Sequence, residues 1–386
     1  MKRPNRFIYG FLNRVARIYT RLAKNHHFRN PSQIKVSSPA IIISNHTSFF
    51  DFLYVMWAFK NTPVNFVVAR KYFETKPLSS LLKWGQTIPK SLFQADPLSV
   101  KQMLEVIKIG GVIGIFPEGQ ISITGVTLPF PQGIGKFVKK VQVPVYAVKT
   151  TGAYLKDPPW TNLKRKGRVE SELLLALTSE DINHLTPNEI EDKLYKIIYT
   201  NPFWESKHSF HGHNLAKGLE NILYLCPKCH SEGQMMSEGN DLICQECGFH
   251  YYVQADGWLS FHEGKTNIDE AYQNERNWEL QQILKDSNFL FSLDVKVETV
   301  LDQRYKIVSQ GQLRISLDHI EYLSHDAYQF NISTSLIRYV PFDAGRNFQI
   351  YLNNQLYQFI PSHNYLSTKA TIIIEELYKL KHPNQS

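Results

Sequence analysis

The sequence predicts an α/β layered domain, then a small four-cysteine ribbon, then a β-rich C-terminal region ending in a helix. Three observations carry that reading. Short apolar runs alternate with helical patterns over residues 30–180, two Cys-x2-Cys pairs sit at ribbon spacing, and the last third breaks into many short apolar/polar runs. Strand candidates in the first part are 40–44, 64–69, 112–116, 143–150 and 169–177, and helix candidates are 49–59, 77–84, 97–109 and 133–140. Thr186-Pro187-Asn188-Glu189 supplies a capping residue, a proline in the first helical position and a glutamate at the box position. A helix through about residue 199 therefore closes the domain. Asn201-Pro202 marks a break. Residues 201–222, polar and carrying His208, His211 and His213, read as a solvated linker.

With 386 residues the chain has room for two or three domains, each with its own core. No run reaches the roughly 18 apolar residues that a bilayer span requires. Nothing at the N-terminus reads as a cleaved signal, because basic residues are interleaved through it. Residues 1–30 instead predict a basic amphipathic helix. Phe7, Ile8, Phe11, Leu12, Val15, Ile18, Tyr19 and Leu22 recur at helical spacing, accompanied by Lys2, Arg3, Arg6, Arg14, Arg17, Arg21 and Lys24. Such a helix either packs on the protein's own core or lies in anionic headgroups. The basic excess favours the membrane surface, where each cation is worth about 1 kcal/mol. A net charge of +8 and a pI near 9.0 suit that surface, and equally an acidic protein partner or a nucleic acid.

Asn45-His46-Thr47-Ser48-Phe49-Phe50-Asp51 follows the apolar run Ala40-Ile41-Ile42-Ile43. His46 then stands at a strand's carboxyl end, where open α/β sheets place their chemistry, and Asp51 falls in the first turn of the next helix. A carboxylate that fixes a histidine's tautomer makes it a better general base. Ser48-Phe49-Phe50-Asp51 also reads as a capping box, which needs no catalysis. Arg70 and Lys71 end a further apolar run, 64–69, and either hold a phosphate or are solvated loop charges.

A second strand run, Val112 to Phe116, leads straight into Pro117-Glu118-Gly119. Asn-His-x4-Asp followed by Phe-Pro-Glu-Gly resembles the glycerolipid acyltransferase family, over roughly residues 5–200. The resemblance implies that His46 is the general base, that Asp51 orients it, and that Glu118 and Gly119 help bind the acceptor's polar head. It also implies an acyl thioester donor, acyl-CoA or acyl carrier protein, and a lysophosphatidate or other lysoglycerophospholipid acceptor. A peripheral place on the cytoplasmic side of a membrane follows from the same likeness. Two positions depart from the family pattern. Ile121 stands where an arginine would suit bidentate capture of phosphate, and Ala147 replaces a proline. Lys90 lies roughly where another family block carries an arginine, and offers a point charge instead of a fork. The stretch FPEGQISITG looks more like the lysophospholipid-reacylating branch, whose diester heads need less charge neutralisation. The alternative function is a non-enzymatic lipid-binding scaffold with ribbon and barrel as protein- or nucleic-acid-binding modules.

Cys226-x2-Cys229 and Cys244-x2-Cys247 are separated by fourteen residues and use all four cysteines. That spacing reads as a ribbon, residues 223–255, in which four thiolates close a structural zinc site. Gly248 follows the second knuckle, where such turns often need a positive φ. Glu232, Glu238 and Asp241 lie between the knuckles with no lysine or arginine, so no nucleic acid is expected there. In residues 256–386 a helix at 267–286 precedes short strands near 296–300, 304–308, 311–316, 319–323, 328–332, 336–341, 347–352 and 355–360. A last helix covers 364–380. This pattern resembles a pleckstrin-homology-like β-barrel.

Overall fold

A computed structural model describes residues 1–92, 96–324, 329–352 and 355–383. These fall into two compact units, 1–159 with 164–212 and 160–163 with 213–386.

The first unit contains, in chain order, α1 (Arg6–Ala23), β1 (His26–Arg29), β2 (Ala40–Ser44), α2 (Asp51–Ala58), β3 (Val64–Ala69), α3 (Leu78–Trp84), β4 (Ile88–Lys90), α4 (Pro97–Lys108) and β5 (Val112–Ile115). It continues with α5 (Ile134–Val141), β6 (Val145–Thr151), α6 (Ala153–Lys156), β7 (Val169–Leu177), α7 (Ser179–His184), α8 (Pro187–Ile198) and α9 (Pro202–Glu205). The strands form one sheet in the order β1-β7-β6-β2-β5-β3-β4. From β6 to β4 neighbouring strands are parallel, so their carboxyl ends share one rim, while β7 runs antiparallel to β6. Central β2 is buried at every position, as a parallel strand covered on both faces must be. Ile41 and Ile43 pack with α4, α5 and α8 on one face. Ala40 and Ile42 pack with α1 and α2 on the other. The alternation follows from the two-residue repeat of a strand.

Between residues 40 and 199 the apolar runs and caps place the expected strands and helices to within two residues, whereas the helix expected over 1–30 is Arg6–Ala23, followed by β1. Short edge elements are what periodicity missed. β1 reads His26-His27-Phe28-Arg29 and has no apolar run, and β4 is only three residues long. The solvated-linker reading of 201–222 is corrected. Phe203, Phe210, Leu215, Ala216, Leu219 and Ile222 are all buried, so the segment is packed chain. Phe210 sits against Gly152 and Gly167, where any side chain at either glycine would collide with its ring.

Helix α1 is seated with its polar face inward. Tyr9, Asn13, Ala16 and Thr20, spaced 4, 3 and 4 apart, are its buried residues, whereas Phe7, Phe11, Ile18 and Leu22 are exposed by 89%, 65%, 56% and 80%. Asn13 Nδ2 donates to the Met56 carbonyl at 2.5 Å and Trp57 Nε1 donates to Thr20 Oγ1 at 2.7 Å. Among the described residues no helix is long and apolar enough to cross a membrane.

The second unit opens with a five-stranded antiparallel sheet of β8 (Met235–Glu238), β9 (Asp241–Cys244), β10 (His250–Val253), β11 (Leu259–Phe261) and β12 (Gly264–Thr266). After α10 (Ile268–Lys285) come β13 (Leu290–Leu301), β14 (Arg304–Ser316), β15 (His319–Ser324), β16 (Phe330–Ser333), β17 (Phe342–Asp343), β18 (Asn347–Leu352), β19 (Gln355–Pro361) and α11 (Leu366–Lys381). The strands form an antiparallel sheet in the order β16-β15-β14-β13-β19-β18-β17, packed on α11 through Ile373, Ile374 and Leu377. The runs 304–308 and 311–316 are one strand, whose pairing with β13 shifts between Val297 and Glu298. The expected strand 336–341 is not found: a 3-10 turn ends at Leu336 and β17 begins at Phe342. Residue 328 of the expected strand 328–332 lies outside the described residues. Glu275 accepts from the Leu225 amide and Glu279 from the Tyr224 hydroxyl, each at 2.8 Å, while Arg276 grips Glu375 and Glu376 of α11. Helix α10 thus joins the ribbon's first knuckle segment to the C-terminal helix.

Gly114 in β5 has no room for a methyl group, since a Cβ there would lie 2.7 Å from Phe66 and 2.9 Å from Val64. Gly114→Ala should cost about 1–3 kcal/mol of overpacking, read as a lowered urea midpoint at unchanged m-value.

Candidate active site

The carboxyl end of β2 delivers Asn45 and His46 to the rim. Asn45 is fully buried and its amide spans to β6, accepting from the Thr150 amide at 2.9 Å and donating to the Thr150 carbonyl at 2.8 Å. His46 Nδ1 lies 3.1 Å from Asp51 Oδ2, and its side chain keeps 20% exposure while Asp51 has none. The same Oδ2 accepts the Thr47 and Ser48 amides at 2.7 and 2.8 Å. Those amides are spent on Asp51 and cannot serve as oxyanion donors, as their neighbourhood to His46 would otherwise suggest. Burial raises the Asp51 carboxyl, and the His46 hydrogen bond and charge and the two amides pull it back. Donation from Nδ1–H to the carboxylate leaves Nε2 as the basic nitrogen. The capping box exists only in half. Asp51 reaches back to the Ser48 amide, but Ser48 Oγ accepts from Phe50, and the N-cap residue Phe50 makes no side-chain cap.

The end of β5 brings the Phe-Pro-Glu-Gly loop against His46. The Phe116 ring stacks on the imidazole with centroids 4.3 Å apart and planes 25° apart. Glu118 is 1% exposed, accepts the His46 amide at 2.6 Å through Oε1 and the Leu128 amide at 2.8 Å through Oε2. The Ser122 amide closes the loop onto the His46 carbonyl at 2.9 Å. The head-group role expected for Glu118 is therefore corrected: both oxygens are engaged by backbone and neither faces solvent. Its burial pushes the carboxyl well up, opposed by the two amides and reinforced by the charge of Asp51. Gly119 makes the turn itself, with φ +78° and its amide on the Phe116 carbonyl at 3.1 Å.

Arg70 and Lys90 end β3 and β4 on the same rim, at roughly 5 Å per strand step from the β5 loop. Arg70 is already committed. Its Nε donates to Ser91 Oγ at 2.9 Å, and Nη2 pairs at 3.0 Å with Asp96, which also caps α4. That pairing and the Ser91 and Ser99 amides hold the buried Asp96 carboxyl well below the usual carboxylate range. Lys90 is half-buried, and the loss of hydration lowers its ammonium pKa against the pull of Asp96. The sequence assigns no separate role to Asn45, Phe116 or Asp96, although the first two stand inside its motifs.

In the second unit Cys226 Sγ lies 3.5 Å from Cys247 Sγ, and Cys229 Sγ 3.7 Å from Cys244 Sγ. All four sulfurs fall within 4.8 Å of one another. Tetrahedral zinc with ~2.3 Å bonds to sulfur needs edges of about 3.8 Å, so the cluster fits that ion. Gly248 takes the expected positive φ of 70°, and His230 takes the matching place in the first knuckle with φ 60°. The His230 ring stacks on Trp278 of α10 at 4.2 Å.

The sheet rim thus brings a buried carboxylate, a part-exposed imidazole and a glycine turn together, and residues 25–151 match the Acyltransferase family. Through these residues the first unit carries an acyltransferase domain, and the curated relatives it matches are glycerolipid acyltransferases. It is 21% identical over 182 residues to a 1-acyl-sn-glycerol-3-phosphate acyltransferase of Bacillus subtilis (strain 168), which covers 47% of this chain and 88% of that one. Identity reaches 32% over 120 residues with the Cocos nucifera enzyme of the same name, covering 30% of this chain but 38% of the relative. The crystal structure of the 1-acyl-sn-glycerophosphate (LPA) acyltransferase PlsC from Thermotoga maritima aligns with a TM-score of 0.43 at 19% identity, over 50% of this chain and 77% of that one.

Glu118→Gln replaces one acceptor oxygen by a donor that must face an amide. Turnover should fall about 10²-fold through displacement of His46, measured with saturating substrates. The stability difference between wild type and Glu118→Gln should also shrink as pH rises. A carboxyl raised by folding contributes stability below the ordinary glutamate range and loses it as pH climbs through the raised value. Thermal unfolding of both proteins from about pH 5 upward reads that slope.

Proposed function

We propose that this enzyme moves a fatty acyl group from an acyl thioester, on coenzyme A or acyl carrier protein, to the free hydroxyl of lysophosphatidate or another lysoglycerophospholipid. The observation that carries it is the His46–Asp51 pair at 3.1 Å with the imidazole still part-exposed at the rim. His46 Nε2 takes the acceptor's hydroxyl proton as its oxygen attacks the thioester carbonyl. The tetrahedral intermediate then expels the thiolate, which recovers the proton from Nε2. Asp51 holds the tautomer and supports the imidazolium between the two steps, and Phe116 fixes the plane of the ring. A positioned histidine contributes roughly 10²–10⁴-fold in such chemistry.

The outward apolar face of α1, with the exposed Arg6, Arg14 and Arg21 on the same helix, supports work at an anionic membrane surface. Phe49 and Phe52, 57% and 37% exposed beside the dyad, extend that apolar surface towards His46. For the head group, Lys90 is the rim cation we assign to phosphate, because Arg70 is held by Asp96 and Ile121 carries no charge. With no arginine at position 121, the reading favours a phosphodiester head over a phosphomonoester. The four cysteines are assigned to structural zinc, with no part in the acyl-transfer steps.

Purified protein given labelled acyl thioester and a panel of lysolipids should form diacyl product, and His46→Ala should abolish it with the fold intact by circular dichroism. Product from no acceptor, or undiminished turnover in the variant, sinks this reading. Lys90→Met should raise KM for the lysolipid about tenfold at nearly constant kcat, as loss of a ground-state phosphate contact requires. Elemental analysis should return about one zinc per chain. Metal-free protein with four titratable thiols and an unchanged melting curve would reject the zinc assignment.

A further inference from the structure

We propose that Lys24 is a positioning residue that couples the seating of α1 to the His46–Asp51 pair. The inference rests on the acyl-transfer reading, and concerns a residue outside both motifs. Lys24 caps the C-terminus of α1, yet its side chain turns inward and is only 6% exposed. Its ammonium makes two contacts. One is an ion pair with Asp157 Oδ1 at 2.6 Å, in the loop that follows α6. The other lies over the Phe50 ring, 3.7 Å from its centroid. Phe50 is the N-cap residue of α2 and lacks a side-chain cap, and Asp51 is the next residue. The cation therefore grips the ring adjacent to the carboxylate that orients His46.

The rest of α1 holds the same helix. Tyr19 contacts Phe50 at 6.2 Å, Asn13 binds the Met56 carbonyl, Trp57 binds Thr20, and Arg17 lies 4.5 Å over the Trp57 ring. Every one of these contacts is polar or aromatic, on the inward face of a helix whose apolar face points away. Ordinary apolar packing would seat α1 the other way round. Tyr9 and Ala16 give that inward face a small apolar contact, and the specific bonds add to it, the Lys24 pair being the most buried charged one. Removing the ammonium breaks the ion pair of Asp157, leaving it only the more distant charges of Lys156 and Arg165, and releases the Phe50 ring. Both changes loosen the start of α2, and with it the Nδ1–H bond from His46 to Asp51.

The decisive experiment pairs kinetics with the His46 Nδ1–H proton resonance, assigned in the full chain by its loss in His46→Gln. Lys24→Met should lower kcat about tenfold, leave the acyl-donor KM unchanged, and broaden or shift that resonance upfield. Lys24→Arg keeps charge and ring contact, and should restore both readouts. Phe50→Leu keeps the ion pair while removing the ring face, and should reproduce the Lys24→Met effect, so it decides the matter if Lys24→Met fails to fold. A Lys24→Met or Phe50→Leu protein with the resonance and kcat of wild type overturns the proposal. Should the wild type transfer no acyl group to any acceptor, the functional reading falls alone, because the resonance still reports whether Lys24 sets the dyad.

Discussion

Three successive backbone amides, at His46, Thr47 and Ser48, are held by two buried carboxylates. Glu118 takes the first and Asp51 the other two. A buried carboxylate without a partner cation is costly, and amide donors are what make it tolerable. Here the requirement works in both directions. The loop after β2 can satisfy its amides only by adopting this one path, and the two acids can be buried only because the loop adopts it. Glu118 arrives from β5, and Asp51 from α2. The arrangement therefore forms only when β2 and β5 pair in register, with Ile43 opposite Ile115. Two sequence motifs far apart in the chain become one site through those bonds.

Much of this was legible before any coordinates. Apolar runs fixed the parallel strands because a strand covered on both faces has to be apolar throughout, as Ala40–Ser44 is. The cysteine knuckles and the His46–Asp51 spacing were readable because their chemistry is local. What stayed hidden depends on partners distant in sequence. Nothing near Glu118 says that its oxygens meet the amides of residues 46 and 128, nor does anything near Arg70 announce Asp96. β1 was invisible for another reason. A four-residue edge strand needs no apolar run, since pairing with β7 supplies its stabilisation and His26 is buried against Ser171 by a 2.6 Å hydrogen bond.

The N-terminal helix shows how far a hydrophobic pattern reaches. It correctly marks an amphipathic helix but cannot say which face turns inward. Asn13 and Thr20 decide that, because each finds a partner on α2 that water would otherwise have to supply. An apolar face left outward in this way is unusual for a helix packed on a folded domain. It is economical for one whose other side meets lipid, since the helix then satisfies both environments without moving.

Electrostatics at the rim bear on which head group the site can hold. A phosphate brought next to His46 also approaches Asp51 and Glu118, whose carboxyls burial already raises. Arg70 cannot turn to a phosphate without leaving Asp96, whose carboxyl is held low by the Ser91 and Ser99 amides and by that guanidinium. Ile121 adds nothing. In the proposed head-group reading the ligand meets the half-buried ammonium of Lys90, whose pKa burial lowers and Asp96 raises. A cation in that condition gains most from a single close oxyanion and has no second donor set for a dianion. The chemistry of the rim thus runs in the same direction as the departure from arginine at position 121, although the two arise from different strands of the sheet.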